Sequence, residues 1–287
     1  MLIDAHVHLF PARLAQAIRD WFDRHAWSII YRQTAEEALS LLLRGGVDRA
    51  VVLPYSHKPG MAEALNAFTA ALAADHPEIV PCCTVFPGEA NDEAILDAAL
   101  GSQGFHGVKI HCHVMKIAPD DPRMDAVWRA SARHSKPVVI HAGMEPANPG
   151  YGTDVRALSG AERVRRALTC HPSAIAIVPH LGAAEFTRFE ALLEELPNLY
   201  LDTTMAISGY FAEVPDLDML RRHPQRILYG TDFPNLPYEW DRELRIIRSL
   251  ELPEREAALI LGENAARLFQ IPIPSKAVRQ PQGRGSA

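Results

Sequence analysis

Eight short apolar runs, each followed by an amphipathic stretch or a long connection, leave this 287-residue chain few folds to choose from. The runs are LIDAH (2–6), VDRAVVL (47–53), IVPCCTVF (79–86), FHGVKIHCH (105–113), PVVIHA (137–142), IAIVPH (175–180), NLYLDTT (198–204) and RILYGTD (226–232). Several are rich in Val and Ile and almost continuously apolar, the pattern of parallel strands covered on both faces. Between them lie segments of helical period, among them ARLAQAIRDWFDRHAW (12–27), TAEEALSLLLRGG (34–46), MAEALNAFTAALAADHP (61–77) and AAEFTRFEALLEELPN (183–198). Most end in a glycine, a proline or a capping residue, where helices stop.

Strand and helix alternating eight times predict an α/β fold, a single (β/α)8 TIM barrel. An open doubly wound sheet is the other fold such alternation allows. It usually brings a glycine-rich phosphate loop, and neither G-x-G-x-x-G nor G-x-x-x-x-G-K-[ST] occurs in the chain. One domain is expected over residues 1–271. The tail 272–287, PIPSKAVRQPQGRGSA, has no periodicity and is expected to be disordered. The connection 143–160, GMEPANPGYGTDVRALSG, follows a strand and is rich in Gly and Pro. In a barrel it would lie over the mouth.

Composition narrows the function. The formal charge is −6 and no basic stripe is present, which argues against a nucleic-acid partner. No apolar stretch approaches a membrane span, and the first residues lack the basic segment of a secretory leader. Cys82, Cys83, Cys112 and Cys170 form neither C-x-x-C nor a disulfide framework, so a reduced, cytoplasmic setting is expected.

Ionisable residues recur where barrel strands should end, which is where barrel enzymes place their catalytic groups. His6 and His8 close the first strand; residues two apart on a strand share a face. Lys109, His111 and His113 share one parity on the fourth, with Cys112 between them pointing away. His141, His180 and Asp232 close the fifth, sixth and eighth. Gathering imidazoles and a carboxylate in one mouth without a cation would bury costly polar groups. A divalent metal explains them together: Zn2+ first, with Mn2+ or Fe2+ also suited to these donors. The other histidines (His25, His57, His76, His106, His134, His171 and His223) fall in helices, helix ends or loops and are read as structural or solvated.

The ordered motifs DAHVH, VVIHAG, VPHLG and LYGTDFP resemble the amidohydrolase superfamily, and most closely its amidohydrolase-2 branch of small single-barrel enzymes. The resemblance runs from residue 2 to about 270, through GENAARLF. That branch holds hydrolases and lactonases, and also non-oxidative decarboxylases similar to aminocarboxymuconate-semialdehyde decarboxylase. The resemblance implies that His6, His8 and His141 are metal ligands, and that Asp232 is a ligand or near-ligand that takes a proton from water. It places His180 beside the metal, where it polarises or holds substrate. A strand-4 lysine is carboxylated and bridges two metals in binuclear members. Lys109 precedes His111 and His113, so it would sit deeper than a bridging lysine should; one ion per chain is expected rather than two. His111 and His113, with Lys109, are the candidates for facing substrate.

Two reactions fit such a site. The first is hydrolysis of an amide, lactone or ester-like bond in a small organic molecule, with Asp232 as general base and His180 stabilising the oxyanion. The second is metal-dependent decarboxylation of a small, often aromatic or unsaturated acid, which calls for extra cations; Arg123 and Arg156 lie in strand-to-helix connections and could serve. A metal- or ligand-binding barrel without catalysis is a third reading, against which the joint presence of Asp232 and His180 argues. Tyr238 and Trp240 either wall the pocket or pack the last helix, and Trp27 and Tyr31 reach either a pocket or a partner subunit. A homodimer is expected from the resemblance alone.

Overall fold

The structure is a computed structural model that describes residues 1–145 and 148–272. All of the predicted tail except Pro272 lies outside the described residues. The strands are β1 (Ile3–Val7), β2 (Arg49–Val52), β3 (Ile79–Pro81), β4 (Cys83–Thr84), β5 (Val108–His111), β6 (Pro137–His141), β7 (Ile175–Val178), β8 (Leu199–Asp202) and β9 (Ile227–Leu228). Each pairs with its neighbour in parallel, in the orders β1-β2-β3 and β4 through β9.

The two sheets join at both edges. β3 and β4 are halves of one run: the Cys82 N–H donates to Val52 O at 3.0 Å and the Cys83 N–H to Gly107 O at 2.9 Å. At the other edge, the Ala5 N–H donates to Tyr229 O (3.0 Å), the Asp232 N–H to His6 O (3.0 Å) and the His8 N–H to Phe233 O (2.7 Å). Val7 and Phe233 form a parallel bridge there. The result is the expected (β/α)8 barrel.

Among the described residues, twelve α-helices accompany the strands: α1 (Ala12–His25), α2 (Ala35–Arg44), α3 (Ala62–Asp75), α4 (Asp92–Gly101), α5 (Cys112–Met115), α6 (Asp125–His134), α7 (Ala161–Cys170), α8 (Phe186–Glu195), α9 (Met219–Arg222), α10 (Arg242–Ser249), α11 (Glu254–Ala258) and α12 (Asn264–Leu268). The four amphipathic segments quoted from the sequence are α1, α2, α3 and α8. Thr34 caps α2 in a reciprocal box with Glu37, as its sequence signature requires. The run 105–113 departs from expectation: the strand stops at His111, and His113 belongs to the single turn of α5.

Side-chain parity shows how the barrel aims its groups. Val108, Ile110, Val138, Ile140, Ala176 and Val178 join the main core shared with the helices. Val51, Leu53, Val80, Val139, Ile177 and Leu228 form a second core inside the barrel, closed at its base by Ala265, Leu268 and Phe269. Alternation then places Lys109, His111 and His141 on the inward face of β5 and β6. β1 reaches the same end by a different route. Its register slips between Asp4, paired with Ala50, and Val7, paired with Val52. One extra residue flips the facing, so Ile3 and Ala5 join the inner core while Val7 joins the outer one. Above the slip, His6 and His8 turn inward. Asp4 anchors the irregularity: Oδ1 accepts the N–H groups of His6 and Thr231, both at 3.1 Å, and Oδ2 accepts the Thr231 hydroxyl at 2.6 Å.

The last helices carry a buried acid. Glu243 of α10 accepts the Tyr238 hydroxyl at 2.6 Å, and burial pushes its carboxyl from 4.5 up to about 7. The folded chain therefore holds this proton more tightly than the unfolded chain. The stability it contributes is full below pH 4.5 and is lost as pH rises through about 7. Relative to the parent, Glu243→Gln is expected to gain up to about 3 kcal/mol between those limits. Urea midpoints measured across the range test this; a difference that ignores pH refutes it. No described helix is long and apolar enough to cross a membrane.

Candidate active site

The first cluster stands at the seam of the barrel. The His6 ring lies with Nδ1 2.9 Å from Asp202 Oδ2, at the end of β8. His8 Nδ1 lies 2.8 Å from Leu53 O, just beyond β2. These acceptors take the Nδ1 protons, which leaves both Nε2 atoms as acceptors turned the other way. They face Asp232 Oδ1, at 3.6 Å from His6 and 3.0 Å from His8. All three donor atoms lie within 4.8 Å of one another, and all three side chains are buried. Burial also holds His6 well below the usual imidazole range, hence neutral. Burial raises the Asp232 carboxyl most, but His8, His6 and His180 together leave it below its ordinary value, hence ionised. Two imidazoles with fixed outer nitrogens and one carboxylate fit a divalent cation. Lys109 lies deeper, its Nζ 3.1 Å from His6 Nε2, and burial lowers it to about 8.

The second cluster adjoins the first. His111 and His141 are register partners at the ends of β5 and β6, with rings stacked at 4.0 Å. His141 Nδ1 lies 3.2 Å from His180 Nε2, while His180 Nδ1 donates to Thr204 O at 2.9 Å. Glu145, four residues past His141, places Oε1 2.7 Å from His141 Nε2 and Oε2 3.4 Å from His113 Nδ1. Burial pushes His141 down to about 3 and His111 well below its ordinary value, so both are neutral. Thus His6, His8 and Asp232 form one group, whereas His141 groups with His111 and His113 and with Glu145 and His180.

Backbone conformation marks the same end of the barrel. His180 (φ 59), Leu181 (φ 50), Ala183 (φ 55), Met205 (φ 55) and Asp232 (φ 75) all occupy the left-handed region, which costs non-glycine residues energy. Each follows the C-terminal end of a strand. Gly230 makes room below: a Cβ there would lie 2.6 Å from Thr204 Oγ1 and 2.9 Å from His6 Cβ.

A cavity of about 420 Å³ opens over both clusters. Its polar floor includes His8, His111, His141, His180, Asp232 and Glu145. Its walls are aromatic, with Trp21, Phe22 and Trp27 from α1 and beyond, Tyr55, Tyr151 and Phe211. The long connection 143–160 supplies Glu145 and Tyr151, as its place over the mouth predicts. No Lys or Arg is among the described lining residues.

Of the three residues expected to face substrate, His111 is among the described residues that line the cavity, and Lys109 and His113 are not. Lys109 is wholly buried one layer deeper, and His113 is wholly buried in α5, behind the wall. Arg123 and Arg156 pair with Asp121 (2.8 Å) and Asp154 (3.3 Å) and are not among the described residues that line the cavity. Tyr238 packs through Glu243, and Tyr31 accepts the Trp240 N–H at 2.8 Å; of these four aromatics Trp27 alone lines the cavity. Sequence reading missed Asp202 and Glu145. Asp202 had a signal, an acid closing the run LYLDTT; Glu145, in an irregular connection, had none.

Comparison with known proteins adds three findings. Residues 3–271 match the profile of the family described as Amidohydrolase. No curated protein sequence matches. Solved structures share the fold. An uncharacterised TIM-barrel protein from Bordetella bronchiseptica is 20% identical, with TM-score 0.70, over 94% of this chain and 98% of that one. An amidohydrolase from Burkholderia multivorans with bound zinc is 17% identical, with TM-score 0.65, over 95% and 100%. A 5-carboxyvanillate decarboxylase from Novosphingobium aromaticivorans with bound manganese is 14% identical, with TM-score 0.66, over 94% and 97%.

Proposed function

The chain belongs to the amidohydrolase family, and from that premise we propose that it hydrolyses an amide, lactone or ester-like bond of a small, uncharged organic molecule. One observation carries the choice of hydrolysis: the floor joins an ionised Asp232 to two inward-facing imidazoles, while the described lining offers no Lys or Arg for a substrate carboxylate. A decarboxylase would have to hold its acid without either.

His6, His8 and Asp232 would hold the ion, with His141, the expected third histidine ligand, and His180 standing beside it. Zn2+ suits this donor set best. When bound, such an ion supplies Lewis acidity toward a carbonyl and toward water. Asp232 Oδ1 accepts the proton of the attacking water and returns it to the leaving group. The Nδ1–H of His180 is committed to Thr204 O, which leaves Nε2 as the atom that can face the developing oxyanion. His111 and the aromatic walls hold the organic body and exclude water. A cytoplasmic homodimer completes the proposal; its support is the four free thiols for the compartment and the motif resemblance for the dimer.

The test is a panel of neutral aryl lactones, esters and anilides beside arene carboxylic acids, assayed before and after dialysis against a chelator. Hydrolysis of neutral substrates, lost at least about tenfold on chelation and restored by zinc, is expected. Release of CO2 from the acids with no hydrolysis of the neutral compounds would overturn the assignment.

A further inference from the structure

A second hollow adjoins the active-site cavity. It is a surface groove of about 540 Å³, lined by Met144, Ala184, Glu185, Phe186, Thr187 and Arg188. Among the described residues, Ala184 and Phe186 line both this groove and the cavity of about 420 Å³. The backbone beside them is tied down. Met144 and Ala183 form a parallel bridge, and the Ala184 N–H donates to Met144 O at 3.0 Å, so the connections that leave β6 and β7 hold each other. Their approach is close: a Cβ on Gly143 would lie 2.8 Å from the Gly182 carbonyl carbon. Glu185 pins the start of α8, with Oε2 accepting the Ala161 N–H at 2.9 Å and Oε1 accepting from Arg188 Nη1 at 3.1 Å. Of the two shared residues, Ala184 ends in a methyl group. Phe186, the first residue of α8, carries a ring, is half-buried and packs against the main core.

We propose that Phe186 is a specificity-determining residue, a partition that closes the cavity against the groove and so sets the length of substrate the protein accepts. The inference deepens the hydrolytic reading and rests on it for the bond that is broken; the partition itself rests on the shape of the two hollows. The parent then takes neutral molecules whose apolar body ends within the cavity. A homologue with a longer unbranched arm meets the Phe186 ring, and the tied backbone on either side gives it no way round. A single methylene too many or too few in an apolar pocket is worth about 10- to 200-fold in discrimination. Replacing the ring by a methyl group joins the two hollows. The arm can then run past Met144 and Ala184 toward Arg188, whose side chain is 73% exposed, and so reach solvent.

The experiment uses zinc-loaded full-length protein and unreactive probes, the phenyl n-alkyl ketones from methyl to octyl. Binding is read from the fluorescence of Trp21 and Trp27, which line the cavity. In the parent, affinity is expected to rise over the first members and then break. In Phe186→Ala it should keep rising, about fourfold for each added methylene. Adding Thr187→Trp to that variant fills the groove from its far side and should restore the break. Circular dichroism checks folding, and Phe186→Leu, with a smaller shift of the break, serves if the alanine variant does not fold. The p-nitrophenyl esters of matching chain length should show the same break in kcat/KM. A parent with no break, the same break in parent and variant, a gain that survives Thr187→Trp, or no binding of any ketone overturns the proposal. A break that moves as expected in the ketones, with no ester hydrolysed, upholds the partition and sinks the hydrolytic reading instead.

Discussion

Asp232→Asn is expected to lower kcat about a thousandfold while the protein keeps its fold. The substitution conserves size and leaves an oxygen facing His8, so the interactions that hold the turn, including the N–H bond from Asp232 to His6 O at 3.0 Å, persist. What it removes is basicity. An amide cannot take the proton that the carboxylate takes, even though His8 at 3.0 Å and His6 at 3.6 Å remain in place. Measuring kcat beside metal content separates two roles. If activity falls with metal retained, Asp232 acts as the base. If excess zinc restores the rate, Asp232 serves only to hold the ion, and the proposed proton transfer fails. A drop of less than about tenfold would exclude a catalytic proton acceptor altogether.

Asp202→Ala should weaken metal binding about 10- to 100-fold and cost about 3 kcal/mol or more in stability, although Asp202 itself never reaches the cavity. Its carboxylate holds His6 Nδ1 at 2.9 Å and accepts the N–H groups of His180 at 3.2 Å and Thr204 at 3.1 Å. Removing it leaves two buried donors, His6 Nδ1–H and the Thr204 N–H, without partners, each costing about 1–3 kcal/mol, and a half-buried third, the His180 N–H. It also frees the His6 ring to rotate and to change which nitrogen carries the proton. Zinc affinity by competition with a chromophoric chelator, together with a urea midpoint, reads both effects. Unchanged affinity would mean that packing alone orients His6.

Strand parity explains why so much of this arrangement was legible in the chain. A histidine or an acid closing an apolar run can be assigned to the mouth as soon as the run is known to be a barrel strand, and His141 and Asp232 needed nothing more. His6 and His8 were legible for a less secure reason. Residues two apart share a face with or without a slip below them, so the register change between Asp4 and Val7 left no trace in the pattern. The role of Asp4 was hidden with it. His113 misled because H-x-H reads as strand, whereas the chain turns into α5 at Cys112. Glu145 was invisible because an irregular connection has no period from which to infer direction. The reach of Arg123 and Arg156 was overestimated for a related reason: an acid two residues earlier, Asp121 or Asp154, holds each guanidinium back.

The closure of the barrel gives the proposed ion a mechanical role. His6 and His8 come from the first stave and Asp232 from the stretch after the last, and these two meet edge to edge. An ion shared among them works as a clasp on a hoop, fastening ends that are remote along the chain. A link across so long a loop removes more freedom from the unfolded chain than one between near neighbours. Losing the ion would therefore loosen the ring at this joint first. During synthesis the clasp cannot be fastened until the last stave has emerged, so the chain acquires its reactive centre only once the ring around it is complete.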